Sequence, residues 1–487
     1  MINVFLNIFC SFELVLAHIA FFQKSVGFFS INSLIIFIQA FLFYGLLFTV
    51  GKKNVISFAV LANFLIMLLL VYHRVYVTPI MLSTIAAQYA EGMAYLGRAL
   101  PVFTSWYSFA ALAYLVAIVW AVMKFYQPES GRWRLRLVFG LPLLILLGFS
   151  YSSYHHEKFD DRHFKNYTQI FGYPQGWFYE LISNSDMAAQ LDYVIKMADE
   201  APKPLPFELQ DLQPHKHIYL LQIESFQYIA FTKEEEGKKV MPFLNEIAKD
   251  SALYQILPKN PHPSANSDFA ALAGIGDISD FYYVVYQLIS PEKLYTRVTP
   301  ITWKYKECGY KTSFYHGFVD TFYNRGPHIR AMKFDEVYFL DTLRRQNKLQ
   351  EGPWGVEDMD MAHFIVKKQQ QDPADKSFTF FITVSSHDPF IIGDTENKIY
   401  AKPKDLLERY YNSFNYVDRS LEYLIKNAPQ DSLFLIYSDH PSIESEPEDT
   451  FFMVYSNKQI FSHSAKINFE KAMQIVKSVL HENLKAD

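Results

Sequence analysis

The sequence predicts two structural classes in one chain: an N-terminal transmembrane domain of five helices, followed by an α/β-layered domain in water. Two observations predict it. Apolar residues concentrate before position 151 and charged residues dominate after it, a shift that separates a lipid-solvated part from a water-solvated part. Beyond position 205, short apolar runs alternate with longer amphipathic stretches, the rhythm of layered strands and helices. At 487 residues, half of them hydrophobic, the chain is long enough for both units.

Five apolar stretches stand at about 2–22, 29–50, 54–72, 105–124 and 135–151. Each approaches the roughly 20 residues a helix rising about 1.5 Å per residue needs to cross a hydrocarbon core. No small-residue cleavage site follows the first stretch, which therefore reads as a retained anchor. With the N-terminus inside, the cytoplasmic connections carry Lys52, Lys53, Lys124, Arg132, Arg134 and Arg136, against Lys24, Arg74 and Arg98 outside. This bias, with five crossings, places the polar half outside the cytoplasmic membrane, in the periplasm or extracellular space. Glu13 and His18 in the first span are expensive in lipid and read either as a functional pair or as helix-packing partners. The 73–101 loop, with Ile80, Met81, Ile85, Ala86 and Tyr89, reads as a helix at the outer interface. The expected boundaries are 1–151 for the anchor, 152–205 for a connector that ends in the Pro-rich run Ala201–Pro206, and 206–487 for the polar domain.

Composition excludes some functions. Net charge is −5 and no Lys/Arg block is interleaved with aromatics, so nothing suggests a nucleic-acid partner. Two cysteines, Cys10 and Cys308, cannot build a disulfide framework. No Walker A sequence is present.

Strands are predicted at 217–223, 311–315, 377–384, 432–437 and 451–455. In layered α/β sheets reactive residues collect beyond the carboxyl ends of the strands. Glu224 follows the first run, His387 the third, and the pair Asp439-His440 the fourth. Two carboxylates and an imidazole brought together would suit a divalent ion.

The segments Leu220–Phe226, Pro263–Phe269, Ser313–Gly317 with Phe322–Arg325, Thr383–Phe390 and Ile436–Pro441 resemble, in order, motifs of the lipoteichoic acid synthase family. That family lies within the alkaline phosphatase superfamily, near the phosphoethanolamine and phosphoglycerol transferases. The resemblance implies an alkaline-phosphatase-like (sulfatase-like) catalytic domain with a mixed central sheet. It implies one divalent metal held by Glu224, Ser264, Asp439 and His440, with Mn2+ first and Zn2+ or Mg2+ as alternatives. Ser264 aligns with a nucleophile that is usually Thr, and Ser267 is the competing hydroxyl; either type can attack phosphorus once a metal lowers its pKa. Arg325, Tyr323, His316 and His387 align with substrate-facing positions, His387 at the leaving oxygen. Tyr323 stands where the family often has Trp, and Pro441 replaces a Gly-containing turn. The formylglycine pattern of sulfate-ester hydrolases does not stand at the nucleophile position.

The implied reaction transfers glycerophosphate from phosphatidylglycerol to an envelope glycan or polyglycerolphosphate through a covalent Ser intermediate. Phosphoethanolamine transfer and phosphodiester hydrolysis are the rivals on the same scaffold, and few cysteines weigh against the first. A silent headgroup-binding sensor or scaffold is the non-enzymatic alternative.

Overall fold

The computed structural model describes residues 6–11, 31–61, 106–126, 136–142, 187–235, 237–257, 264–275, 284–346, 349–394, 397–441 and 449–485. Glu13, His18 and the 73–101 loop lie outside the described residues. The chain divides into two compact units, Met1–Ala188 and Ala189–Asp487.

In the first unit, helices Ile31–Val50 and Trp106–Phe125 match two of the five expected apolar stretches to within two residues at each end. Tyr44, Phe48, Val55, Ala59, Ile118 and Val122 form its buried core together with Leu6 and Cys10. The opposite pattern is as informative: Leu34, Ile38, Val116, Trp120, Met123, Leu137 and Val138 are large apolar side chains left exposed. Among the described residues no helix is long and apolar enough to cross a membrane. Part of the side chains of both 20-residue helices lies outside the described set.

The second unit is built on an eight-stranded mixed sheet. Its strands are β1 His217–Ile223, β2 Ala252–Ile256, β3 Lys311–His316, β4 Glu336–Tyr338, β5 Ser377–Ile382, β6 Ser432–Ser438, β7 Thr450–Ser456 and β8 His463–Ile467. Their order is β8-β2-β7-β6-β1-β5-β3-β4. All neighbours pair in parallel except at β7, which is antiparallel to both β6 and β2. The five predicted strands are all present. β2, β4 and β8 were not read from the sequence: β4 has three residues, and β8 alternates half-buried with exposed positions and carries no apolar run.

β1 and β6 are buried along their whole length, as central strands of a sheet covered on both faces must be. Burial of each Leu, Ile or Phe there stabilises by about 1.5–3 kcal/mol, which explains why these runs are so uniformly apolar. The principal helices are α1 Ser264–Ala273, α2 Arg325–Ala331, α3 Asp358–Gln371, α4 Leu406–Lys426 and α5 Phe469–Lys485. Tyr219, Leu221 and Ile223 pack on the face covered by α3 and α4. α1 and α5 meet each other in a second helical group, where Tyr305 donates to the Leu480 carbonyl and its ring packs on Phe378 of β5. α4 starts on an N-cap, where Asp405 accepts from Glu408 N at 2.9 Å, and Glu408 in turn accepts from Lys404 N at 2.6 Å. Helix Met187–Asp199, inside the expected connector, is tied to α5 because Lys477 Nζ donates to the Ala198 and Glu200 carbonyls.

Candidate active site

Parallel strands bring their carboxyl ends to one edge, and the chemistry collects there. Glu224 follows β1, His316 ends β3, the Thr383–His387 loop follows β5, and Asp439 and His440 follow β6. Ser264 is the first residue of α1 and meets them from a separate segment.

Glu224, Asp439 and His440 offer ligand atoms within 4.8 Å of one another, and all three are buried. Ser264 Oγ stands 3.1 Å from Glu224 Oε2 and 3.2 Å from His440 Nε2. The His440 ring is oriented by its other nitrogen, for Nδ1 lies 2.8 Å from the Pro441 carbonyl. A carbonyl only accepts, so Nδ1 carries a proton, and whenever the ring is neutral it is the Nε2 lone pair that faces the cluster. Pro441, the departure from the family's turn, thus supplies the orienting carbonyl.

Asp439 has one satisfied and one unsatisfied oxygen. Oδ1 accepts from Ser225 N at 2.9 Å and from His440 N at 2.8 Å. Oδ2 is buried and has no hydrogen-bond partner among the described residues. A buried carboxylate oxygen left so is costly, and a cation among these donors would satisfy it. The residues therefore fit a divalent ion of the kind oxygen-plus-imidazole sites take.

Electrostatics agree. Burial opposes charge on His440, yet Asp439 and Glu224 raise it to about 10. Burial also opposes charge on Glu224, but hydrogen bonding and attraction from His440 hold its carboxyl below the ordinary range. Asp439, buried beside Glu224, is pushed up to about 8. The cluster carries more negative charge than its own groups balance without a proton, and a cation could take that proton's place.

The backbone is built to hold Glu224. Thr383 Oγ1 accepts from Glu224 N at 3.0 Å, and Ser386 Oγ donates to Glu224 O at 2.7 Å. Ser225, next in the chain, sits in the left-handed region with φ 57, a conformation that non-glycine residues keep only where surroundings enforce it. The Thr383–His387 loop is held in turn by Asp358, which accepts from Val384 N and Ser385 N at 2.9 Å each. Burial raises the Asp358 carboxyl to about 7. Ser267 Oγ donates to the Asp439 carbonyl at 2.9 Å, so the competing hydroxyl is engaged with backbone while Ser264 faces the carboxylate and imidazole.

Glu224, Ser264, His316, Phe318, Phe322, Arg325, Trp354, Thr383, Val384 and His387 line a cleft with about 310 Å³ of open space. Arg325 is 2% exposed. Its Nε donates to Asp268 Oδ2 at 2.9 Å and its Nη1 to His316 Nε2 at 2.9 Å. Burial and the Arg325 charge push His316 well below its ordinary value, which suits an imidazole accepting that hydrogen bond. Arg325 Nη2 has no hydrogen-bond partner among the described residues. Burial raises the Asp268 carboxyl to about 7 against the pull of Arg325.

Sequence reasoning placed the cluster residues, His316, His387 and Arg325 near one another, and they share this cleft or its floor. Phe322, rather than Tyr323, contributes the ring from that segment. Tyr323 and Asn324 both have positive φ, 58 and 57, which turns the chain sharply before α2. Tyr323 then lies against Phe322, with ring centroids 4.1 Å apart and planes inclined by 43°, and its ring is 6.0 Å from the Arg325 guanidinium. Asp268, Asp358 and Trp354 carried no signal that assigned them to the site, although Asp268 stands within the Ser264 segment.

A family model for Sulfatase matches residues 216–470, just over half of the chain. Lipoteichoic acid synthase 2 of Bacillus subtilis (strain 168) is 24% identical over 243 residues, 47% of this chain and 36% of that protein. Lipoteichoic acid synthase of Staphylococcus aureus (strain USA300) is 24% identical over 282 residues, 54% of this chain and 41% of that protein. The matches thus span less than half the length of these curated relatives. In fold, the chain is similar to the integral membrane protein lipooligosaccharide phosphoethanolamine transferase A (EptA) from Neisseria meningitidis, with a TM-score of 0.50 at 13% identity over 98% of this chain and 95% of that one. Sheet topology, site geometry and the family match agree that the chain belongs to the sulfatase family, within the alkaline phosphatase superfamily.

Proposed function

We propose that this chain is a membrane-anchored, metal-dependent phosphoglycerol transferase that moves glycerophosphate from phosphatidylglycerol to an envelope glycan or polyglycerolphosphate. The observation that carries the reading is the Ser264 hydroxyl at the start of α1, 3.1 Å from Glu224 and 3.2 Å from His440 in a cleft that also holds Arg325. The names of the relatives, lipoteichoic acid synthases, support the choice of transferred group.

Glu224, Asp439, His440 and the Ser264 oxygen would hold one divalent ion, Mn2+ first, with Zn2+ or Mg2+ as alternatives. When bound, such an ion lowers the hydroxyl's pKa and offsets charge growing on phosphorus. Ser264, having lost its proton to solvent, attacks phosphorus from the helix N-terminus, where backbone N–H groups favour an anion. The phosphorus bond to the diacylglycerol oxygen breaks, and protonated His387 gives that oxygen its proton. Arg325 offers its unpaired Nη2 hydrogens to a phosphoryl oxygen, while Asp268 and His316 hold the guanidinium in place. An acceptor hydroxyl then displaces Ser264 from phosphorus.

The exposed apolar side chains of the first unit support an anchor, since in water they would form an aggregation-prone surface. Lipid around them satisfies the same groups, and an anchored domain meets a lipid donor at high effective concentration. The catalytic unit then faces the periplasm or extracellular space.

The test is direct. Full-length protein in lipid nanodiscs with Mn2+ or Zn2+ is given labelled phosphatidylglycerol or phosphatidylethanolamine. A glycerophosphate adduct on Ser264, absent in Ser264→Ala, is expected with the first lipid. A phosphoethanolamine adduct would reassign the donor, and no adduct or diacylglycerol from either lipid would sink the reading.

A further inference from the structure

Trp354 belongs to none of the motifs, yet its ring lies against His387. It occupies the turn of a two-stranded hairpin, Glu351–Gly352 paired with Gly355–Val356. The hairpin reaches the site because two backbones approach with no side chain between them. Val356 N donates to the Gly317 carbonyl at 3.0 Å, and Gly317 directly follows β3. A Cβ at Gly317 would stand 2.3 Å from Val356 O, and one at Gly355, where φ is +93, would stand 2.1 Å from Gly317 O. Only glycine fits at either position.

The consequence is a close pair of rings. The Trp354 and His387 ring centroids are 3.7 Å apart with planes inclined by 32°. Phe318 and Phe322 flank the indole at 5.0 and 5.8 Å. One carbonyl joins both rings: Asp388 O accepts from Trp354 Nε1 at 2.7 Å and from His387 Nδ1 at 2.9 Å. Because that oxygen only accepts, Nδ1 carries the neutral ring's proton and Nε2 is bare.

Resting on the transferase reading above, we propose that Trp354 is a positioning residue for His387. Its N–H anchors the Asp388 carbonyl and its face holds the imidazole, so that Nε2 takes the proton of the acceptor hydroxyl. In that step the acceptor O–H proton moves to Nε2, the acceptor oxygen bonds to phosphorus, and the bond from phosphorus to Ser264 Oγ breaks. His387 then keeps the proton until the leaving oxygen of the next donor takes it, which closes the cycle.

The test labels the full-length chain with 15N-histidine and identifies the His387 signal by its absence in His387→Gln. Wild type shows the Nδ1-protonated tautomer, and Trp354→Ala shows a mixture. In turnover, Trp354→Ala lowers kcat about tenfold with KM little changed, part of the roughly 10²–10⁴-fold that a positioned acid–base group contributes. Trp354→Phe restores part of that loss by returning the ring without its donor. Adding Trp354→Ala to His387→Ala costs nothing further. An unchanged tautomer in Trp354→Ala, or losses that multiply in the double variant, overturns the assignment. The tautomer is read without substrate, so a missing Ser264 adduct in wild type would refute the transferase reading and leave this measurement standing.

Discussion

The two ends of the central sheet each carry a charged cleft, and they differ in a way that volume conceals. At the amino-terminal end His217, Lys311, Glu336, Lys368 and Asp372 line about 600 Å³ of open space, against about 310 Å³ at the carboxyl end. In the larger cleft the charges answer one another. Lys311 pairs with Asp372 at 2.5 Å and with Glu336 at 3.3 Å, Lys368 pairs with Glu336 at 3.5 Å, and His217 Nδ1 meets Ser377 Oγ at 2.9 Å. At the smaller cleft, Asp439 Oδ2 and Arg325 Nη2 are buried without hydrogen-bond partners among the described residues. Solvent-exposed pairs contribute only about 0–1 kcal/mol each, whereas an unsatisfied buried polar atom costs about 1–3 kcal/mol. At the carboxyl edge, a cation and an anion are the ligands that could complete these two atoms. Buried atoms without hydrogen-bond partners also stand elsewhere among the described residues, His215 Nδ1 before β1 among them, so what distinguishes the site, beyond size, is that such atoms lie among the clustered carboxylates, imidazole and guanidinium.

The contrast can be broken by experiment, most strongly at the metal cluster. Asp439→Asn replaces one donor carboxylate. Losing an outer-shell partner of a metal site already costs 10–100-fold, so removal of a ligand should cost more than about 100-fold in transfer rate. If Mn2+ binds as proposed, wild type should gain about 2.7 kcal/mol at 100 times Kd, and the variant should lose that gain. Equal shifts in wild type and variant would remove Asp439 from the metal site.

Arg325→Met comes next. It leaves Asp268 buried without its cation, and breaking such a pair costs about 3–5 kcal/mol. The sign of its pH dependence follows from the carboxyl, which burial already raises to about 7 beside Arg325 and which rises further without it. Between its unfolded value and this raised one, the folded state binds the extra proton, so stability falls as pH rises through that window. Chemical denaturation at pH 6 and pH 8 should show the larger loss at pH 8. A pH-independent loss would mean that Asp268 does not carry the effect.

The smallest effect is expected at the other end. Lys368→Ala removes a pair that is 26% and 22% exposed at its two partners and 3.5 Å apart, and should change stability by less than about 1 kcal/mol, with transfer unaffected. A large loss of activity there would show that the amino-terminal cleft also binds something the reaction needs.

Much of the site could be read from sequence because its residues directly follow apolar runs. β1, β5 and β6 are regular enough for their ends to be located, and parallel strands align those ends whatever else the chain does. The partners were harder to read. Asp268 meets Arg325 across 57 positions, and Trp354 reaches the Asp388 carbonyl across 34. No local periodicity encodes such pairs. Tyr323 shows the same limit at short range, since two consecutive left-handed residues bring Phe322 to the cleft in its place.

Taken alone, the sequence determined the layered class of the second unit, five of its strands, and the edge at which Glu224, His387, Asp439 and His440 gather. Hydrophobic periodicity is local, and alignment of parallel strands follows from it. Only the tertiary structure decided which oxygen of Asp439 is left open, which nitrogen of His387 is bare, and that two glycines let Trp354 reach it. Those outcomes depend on register and on backbone approach between distant segments, where a few tenths of an ångström separate a hydrogen bond from a clash.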